Sequence, residues 1–350
     1  MPAFEALDEA EQLAAEVGLT AELAYIHYLR GNLCFPLGRI EECMAEHSQS
    51  LRLAQQIQSP RAEAMAQSGL ADAYYLRGHM QTASERFKAC VALCRQHGFG
   101  QIEVSNRHMI GWSRIHLMEF REALEDGKAS DALAMEVRNN RSAMLSKMLV
   151  GIMQCQLGDL TSAEQSLRDA DEIAQSMGSS NIQAQGLRQL AMVYKRLGDQ
   201  TRAEHYADLA LAAIRQVGMT FIGPTVLAAC AMVSDDPQQR CAFLDEAEAI
   251  LESGCVAHNH LWFAEIAIDL ALDRQDWPTA LRYADQLERQ TAAQPLAWSN
   301  FMARRARALA AAGSGRMDPS TRTELQVLKQ QAEDCGLASP LPALIKALDG

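Results

Sequence analysis

The feature that most constrains this chain is a period. Five turn segments fall at Gly38, Gly78, Met118, Gly158 and Gly198, four successive steps of 40 residues. Five residues further on, each carries a small side chain: Cys43, Ala83, Ala123, Ala163 and Ala203. Seven residues before each turn position stand Gly31, Ala71, Gly111, Gly151 and Ala191. Another landmark keeps the same step at Gly18, Gln58, Gly98, Arg138, Gly178 and Gly218. Repetition at this interval specifies stacked supersecondary units, because one such unit cannot bury its apolar face alone.

Each unit divides into two helices. Glycine at the 38-type position suits the left-handed backbone that ends a helix. The following segment, Met80 to His97 for example, places Ala83, Phe87, Cys90, Val91 and Cys94 at helical spacing. Composition agrees: 48 % of residues are hydrophobic but only 6 % aromatic, and the apolar content leans on Ala, Leu and Met, which favour helix over strand. Small residue, Leu-Gly-Asp-type turn, then alanine: this pattern resembles the tetratricopeptide repeat. The resemblance implies an all-α, right-handed α-α superhelix of about eight helical pairs, with helices longer than the family's usual unit of roughly 34 residues allows.

The expected organisation follows the register. Residues 1–18 are an orphan second helix or an N-terminal cap, residues 19–218 hold five regular repeats, 219–338 three degenerate ones, and 339–350 a tail with Pro340 and Pro342 that caps the array. The sixth repeat, Phe221 to Ser253, turns at Ser234-Asp235-Asp236-Pro237; the seventh turns at Asp276-Trp277-Pro278; the eighth, Leu296 to Gly336, is interrupted by Gly313 to Pro319. A start in mid-repeat favours a chain that continues beyond Met1, with a cap as the alternative.

Charge and motifs exclude several function classes. Acidic residues outnumber basic ones 44 to 32, a formal charge of −12 that disfavours nucleic-acid and membrane-surface binding. Nine cysteines without a Cys-x-x-Cys pair read as small buried residues of a reducing cytoplasm. There is neither a secretory signal nor a membrane-spanning apolar run, and phosphate-loop, dinucleotide, nucleophile-elbow and His-Glu-x-x-His motifs are absent. No enzyme activity and no cofactor are expected. The alternative from another class is a metal site or enzyme at Cys255, His258 and His260, whose spacing matches no zinc finger. The competing expectation is that His258 or Asn259 caps the helix continuing through Leu261-Trp262-Phe263.

In tetratricopeptide arrays the first helices line a concave groove that takes extended or helical peptides. The resemblance carries this role, by register, onto Tyr28, Asn32 and Phe35, then Ser68, Asp72 and Tyr75, then His108, Trp112 and Ile115. It continues through Met148, Ile152 and Cys155 to Arg188, Met192 and Lys195. Such a groove is aromatic and polar at one end and basic at the other, suiting a peptide with apolar anchors and a carboxylate. Four longer stretches, Ile26–Leu33, His97–Val104, Gly218–Pro224 and Gly254–Phe263, resemble the C-terminal region of bacterial multidomain class III adenylate/guanylate cyclases, where a tetratricopeptide array follows a signal-transduction ATPase module. That resemblance implies a sensor and scaffold arm whose partners include neighbouring cyclase and ATPase modules. A stand-alone adaptor or peptide-sensing regulator is the alternative.

Overall fold

A computed structural model describes residues 2–35 and 37–349; Met1, Gly350 and Pro36, in the first expected turn, lie outside the described residues. All regular structure among them is α-helix, as the period requires. The helices group into two compact units, Met1–Ser113 and Arg114–Gly350.

The N-terminal unit holds α1 (Pro2–Val17), α2 (Thr20–Cys34), α3 (Ile40–Gln56), α4 (Pro60–Leu76), α5 (Met80–His97) and most of α6 (Gly100–Ile115). Consecutive helices pack antiparallel, and α2 also touches α4, so first helices form an inner layer. Small residues make that approach possible. A Cβ on Gly31 would stand 2.5 Å from the His47 ring, and one on Gly69 2.1 Å from it. The imidazole of His47 is therefore gripped between two bare helix backbones. Helix α1 is held by Phe4, packed against Cys34, Cys43 and Ala73, and by Arg30, which bonds Asp8 at 2.8 Å and Glu11 at 2.7 Å. Its outer apolar residues, Leu13 and Val17, stay exposed.

The C-terminal unit continues with α7 (Phe120–Glu136), α8 (Asn140–Gln156), α9 (Leu160–Met177), α10 (Ser180–Leu197), α11 (Gln200–Val217) and α12 (Gly223–Val233). It ends with α13 (Pro237–Ser253), α14 (His258–Asp273), α15 (Trp277–Gln290), α16 (Ala297–Gly313), α17 (Pro319–Cys335) and α18 (Leu341–Asp349). Its inner layer runs α8, α10, α12, α14, α16, α18, each touching the next.

The period is a backbone property before it is a glycine property. Gly38, Gly78, Gly158 and Gly198 have positive φ, and so does Met118 at 63°; between them Gln58 (53°) and Arg138 (54°) do the same. The turn bonds match at every type: Gly78 N–H to Tyr75 O with His79 N–H to Tyr74 O, and Met118 N–H to Ile115 O with Glu119 N–H to Arg114 O. This is the double bond of a Schellman ending, which satisfies carbonyls that the helix leaves open. Many second helices then start on a side-chain cap: Asp159, Asp199, Asp236, Asp276 and Asp318 each accept a backbone N–H.

Candidate functional site

In the N-terminal unit the inner row begins on α2. Tyr28 is half-buried, bonded to Asn32 and tilted against His47 with ring centroids 5.8 Å apart. Burial pushes its phenol above the ordinary range, with Asp72 adding to the effect. Tyr25, one helical turn earlier, stacks on Tyr28 at 6.1 Å and is 52 % exposed. Asn32 is exposed, Phe35, Ser68 and Asp72 are partly so, and Tyr75 on α4 is buried. Further along, His108 and Trp112 on α6 are buried, and His108 Nδ1 donates to the Val104 carbonyl at 3.1 Å. The open part of the row is thus its α2 end. Register reasoning passed over Tyr25, although its spacing from Tyr28 signals a shared face.

In the C-terminal unit the corresponding face is covered by the chain itself. The amide of Trp298 at the start of α16 donates to the His116 carbonyl (3.1 Å), and that of Ala338 to the Gln156 carbonyl (2.9 Å). The His116 ring stands edge-on to Trp262 at 5.1 Å, and Phe120 edge-on to Trp298 at 5.5 Å. Ile115, Met148, Ile152 and Cys155 are buried accordingly. What remains on that face is a cavity of about 40 Å³ between α8, α10, α12 and α14.

Arg188, Met192 and Arg196 on α10 line it, with Gln156 on α8 and Glu265 and Asp269 on α14. Arg196 donates to the Cys155 carbonyl (2.9 Å) and to Ser339 Oγ (2.9 Å). Asp269 is paired with Arg305 at 2.6 Å. Glu265 accepts from Gln156 at 3.5 Å and from Trp298. Burial, with Asp269 adding, lifts its carboxyl to about 7 against the pull of Arg196 and Arg188. Arg188 is only 4 % exposed and makes no hydrogen bond or ion pair with any described residue; its Nε–H is fully buried without an acceptor. Burial lowers its guanidinium to about 10. Lys195 points elsewhere, donating to Gln200 at 2.9 Å. The period places Arg188 on the inner face but gives no sign of Glu265 or Asp269, which lie beyond the point where the register loosens.

The cysteine–histidine alternative does not assemble. Cys255 Sγ lies 3.6 Å from the Val256 carbonyl, while His258 is buried edge-on to Phe221 at 5.6 Å. Among the described residues no three His, Cys, Asp or Glu side chains gather to hold a metal. Nor is α14 capped by His258 or Asn259: its N-cap is Ala257, and Asn259 instead donates to the Phe221 carbonyl at 2.8 Å, tying α14 to the segment before α12. No described helix is long and apolar enough to cross a membrane.

Residues 22–96 match the tetratricopeptide repeat family model. No curated protein matches the chain. Among solved structures, the Rap conjugation gene regulator of plasmid pLS20 in complex with the Phr* peptide is 14 % identical, with a TM-score of 0.65 over 78 % of this chain and 77 % of that one. Aspartyl phosphate phosphatase F from Bacillus subtilis is 11 % identical, with 0.60 over 83 % and 75 %. NprR in complex with its cognate peptide NprX is 13 % identical, with 0.57 over 82 % and 88 %. At such identities these likenesses speak for the fold, and with the family match they place tetratricopeptide-type helical pairs in this chain.

Proposed function

We propose that this protein is a non-catalytic, peptide-binding tetratricopeptide scaffold of the peptide-sensing regulator kind. The observation that carries the reading is the stacked Tyr25–Tyr28 pair beside exposed Asn32 on the inner layer of the N-terminal unit. Aromatic rings flanked by an open amide suit an apolar anchor and a peptide main chain. Structures of the same fold hold the Phr* and NprX peptides, which supports a peptide as the ligand class. Phe35, Asp72 and Tyr75 extend this face; His108 and Trp112 back it from within the unit.

The test is a displayed library of short peptides, with hits titrated by fluorescence polarisation. Tyr25→Ala and Asn32→Ala, both at exposed positions, are expected to weaken binding tenfold or more while the melting temperature moves little. Unchanged affinity in both sinks the assignment of this face. Trp112 is a poor probe, since truncating so buried a ring costs about 3–5 kcal/mol of stability.

The four cyclase-like stretches favour a second reading, in which the scaffold is the sensor arm of a cyclase–ATPase signalling protein and acts on those modules. An immunoblot of the source cells separates the two. A band far above 38.5 kDa supports the arm, and a band near 38.5 kDa the free-standing regulator. In either case the nine cysteines, all unpaired, suit a reducing cytoplasm.

A further inference from the structure

We infer that the cavity between α8, α10, α12 and α14 is a binding site for a single carboxylate group, received by the Arg188 guanidinium with Arg196 as a second positive charge at its edge. The argument is one of unmet demand. A guanidinium carries five N–H donors, and burying it without acceptors is costly enough that buried arginines are nearly always paired. Arg188 has lost most of its water and gained no hydrogen-bond acceptor among the described residues, although its Nε–H is enclosed and it lines a space open enough to hold something.

The charges around that space select the ligand. Asp269 is already neutralised by Arg305. Arg196 is held by neutral oxygens, so its charge is not cancelled. Two guanidinium charges therefore face the one remaining carboxyl, Glu265, and where that carboxyl is ionised, above about pH 7, a surplus of one positive charge is left. A monoanion balances it. A phosphate or sulfate dianion would overshoot beside the ionised Glu265, and a cation would meet Arg188. The volume of about 40 Å³ holds the two oxygens and carbon of a carboxylate, in a space otherwise fit for one or two waters. A planar carboxylate also matches the donor fork of arginine. Met192, Gln189 and Met232 line the cavity and are partly exposed, so the rest of the ligand has a way out. The inference depends on the peptide-binding reading only for the source of the carboxylate.

The experiment uses the full chain with 15N-labelled arginine and follows the Arg188 Nε–H resonance. The probes are acetate, N-acetylglycine as a minimal peptide terminus, and N-acetylglycinamide, all at constant ionic strength set with chloride. Both acids are expected to shift the resonance saturably, and the amide and chloride to leave it unmoved. A response to acetate alone keeps the carboxylate site but assigns it to a small free acid. Arg188→Met removes that resonance and so assigns it; in this variant the Arg196 Nε–H resonance, which also reports on the cavity, is expected to stay unmoved by either acid. Glu265→Gln, which keeps the cavity's shape, is expected to tighten acetate at least threefold at pH 8; there the native Glu265 is ionised and repels the ligand, amid Asp269, Arg188, Arg196 and, near Arg188, His258. No saturable shift with either acid, or an equal shift with chloride, means a cavity that holds only water and overturns the site. Neither result bears on peptide binding at Tyr28 and Asn32, so the two readings fail separately.

Discussion

The grip of α2 and α4 on His47 gives a sharp prediction about a residue that no binding argument needs. The ring lies against Gly69, where an added Cβ would come within 2.1 Å of it, and against Gly31, where the distance is 2.5 Å. Pinned on both sides, the imidazole cannot retreat from one glycine without striking the other. Gly69→Ala therefore meets an overpacking cost of about 1–3 kcal/mol, set against roughly 1 kcal/mol gained from replacing a mid-helix glycine by alanine. The net expected loss is up to about 2 kcal/mol. In a His47→Ala background the clash is gone and only the helix gain remains, so the same substitution there should stabilise by about 1 kcal/mol. The coupling between the two sites is then about 1–3 kcal/mol, well above the few tenths seen for independent positions. Thermal and urea unfolding of the full chain in the four corners of this cycle measure it. An equal effect of Gly69→Ala in both backgrounds would refute the idea that the ring is what the glycines accommodate.

Acid should destabilise the protein early. Burial lowers His47 to about 4, His116 to about 3 and His258 to about 4, from 6.5. Unfolding lets each take up a proton below pH 6.5, so each removes up to about 1.4 kcal/mol per pH unit as the pH falls toward its folded value. Glu265, raised to about 7 from 4.5, works the other way between those values, since the folded state then binds the extra proton. The expected net slope is on the order of 2–3 kcal/mol per pH unit near pH 5.5, and a melting temperature that does not fall between pH 7 and 5 contradicts it. At the turns, Gln58→Gly and Arg138→Gly should each raise stability by about 1 kcal/mol by relieving an exposed left-handed residue, whereas Met118→Gly, which empties a buried site, should lower it; the melting temperatures of the three variants decide. Arg188→Met should stabilise the chain by about 1–4 kcal/mol, because it removes a buried, unpaired charge, and a lower melting temperature would mean the guanidinium has a partner after all.

The fold was legible because it rests on backbone requirements that recur. A left-handed residue follows most of the helices, first and second alike, and a small one stands where two helices meet. Met118, Gln58 and Arg138 show how strong the requirement is, since each adopts positive φ without being glycine. A search for glycines alone would have lost these turns, while a count of positions keeps them. The degenerate repeats were harder for the same reason: Gln275, with φ 58°, ends α14 in the same way, but out of step with the 40-residue register.

Site chemistry obeys no such period. Arg188 could be placed on an inner face from the sequence, but the register does not say whether that face meets solvent or other parts of the chain. What distinguishes the two is whether something covers that face, and this is decided by residues far away in the chain. Trp298 reaching the His116 carbonyl and Ala338 reaching the Gln156 carbonyl bring the last repeats over the middle ones. Only then does Arg188 lose most of its water and come to share a cavity with Glu265. In the N-terminal unit Tyr25 and Asn32 keep their exposure. Equivalent register positions thus acquire opposite environments: open on α2, where they suit a long ligand held along its length, and enclosed on α10, where they suit one charged group. A conserved repeat geometry can carry both, because the helical pairs fix where an inner residue stands and the later chain fixes what it meets.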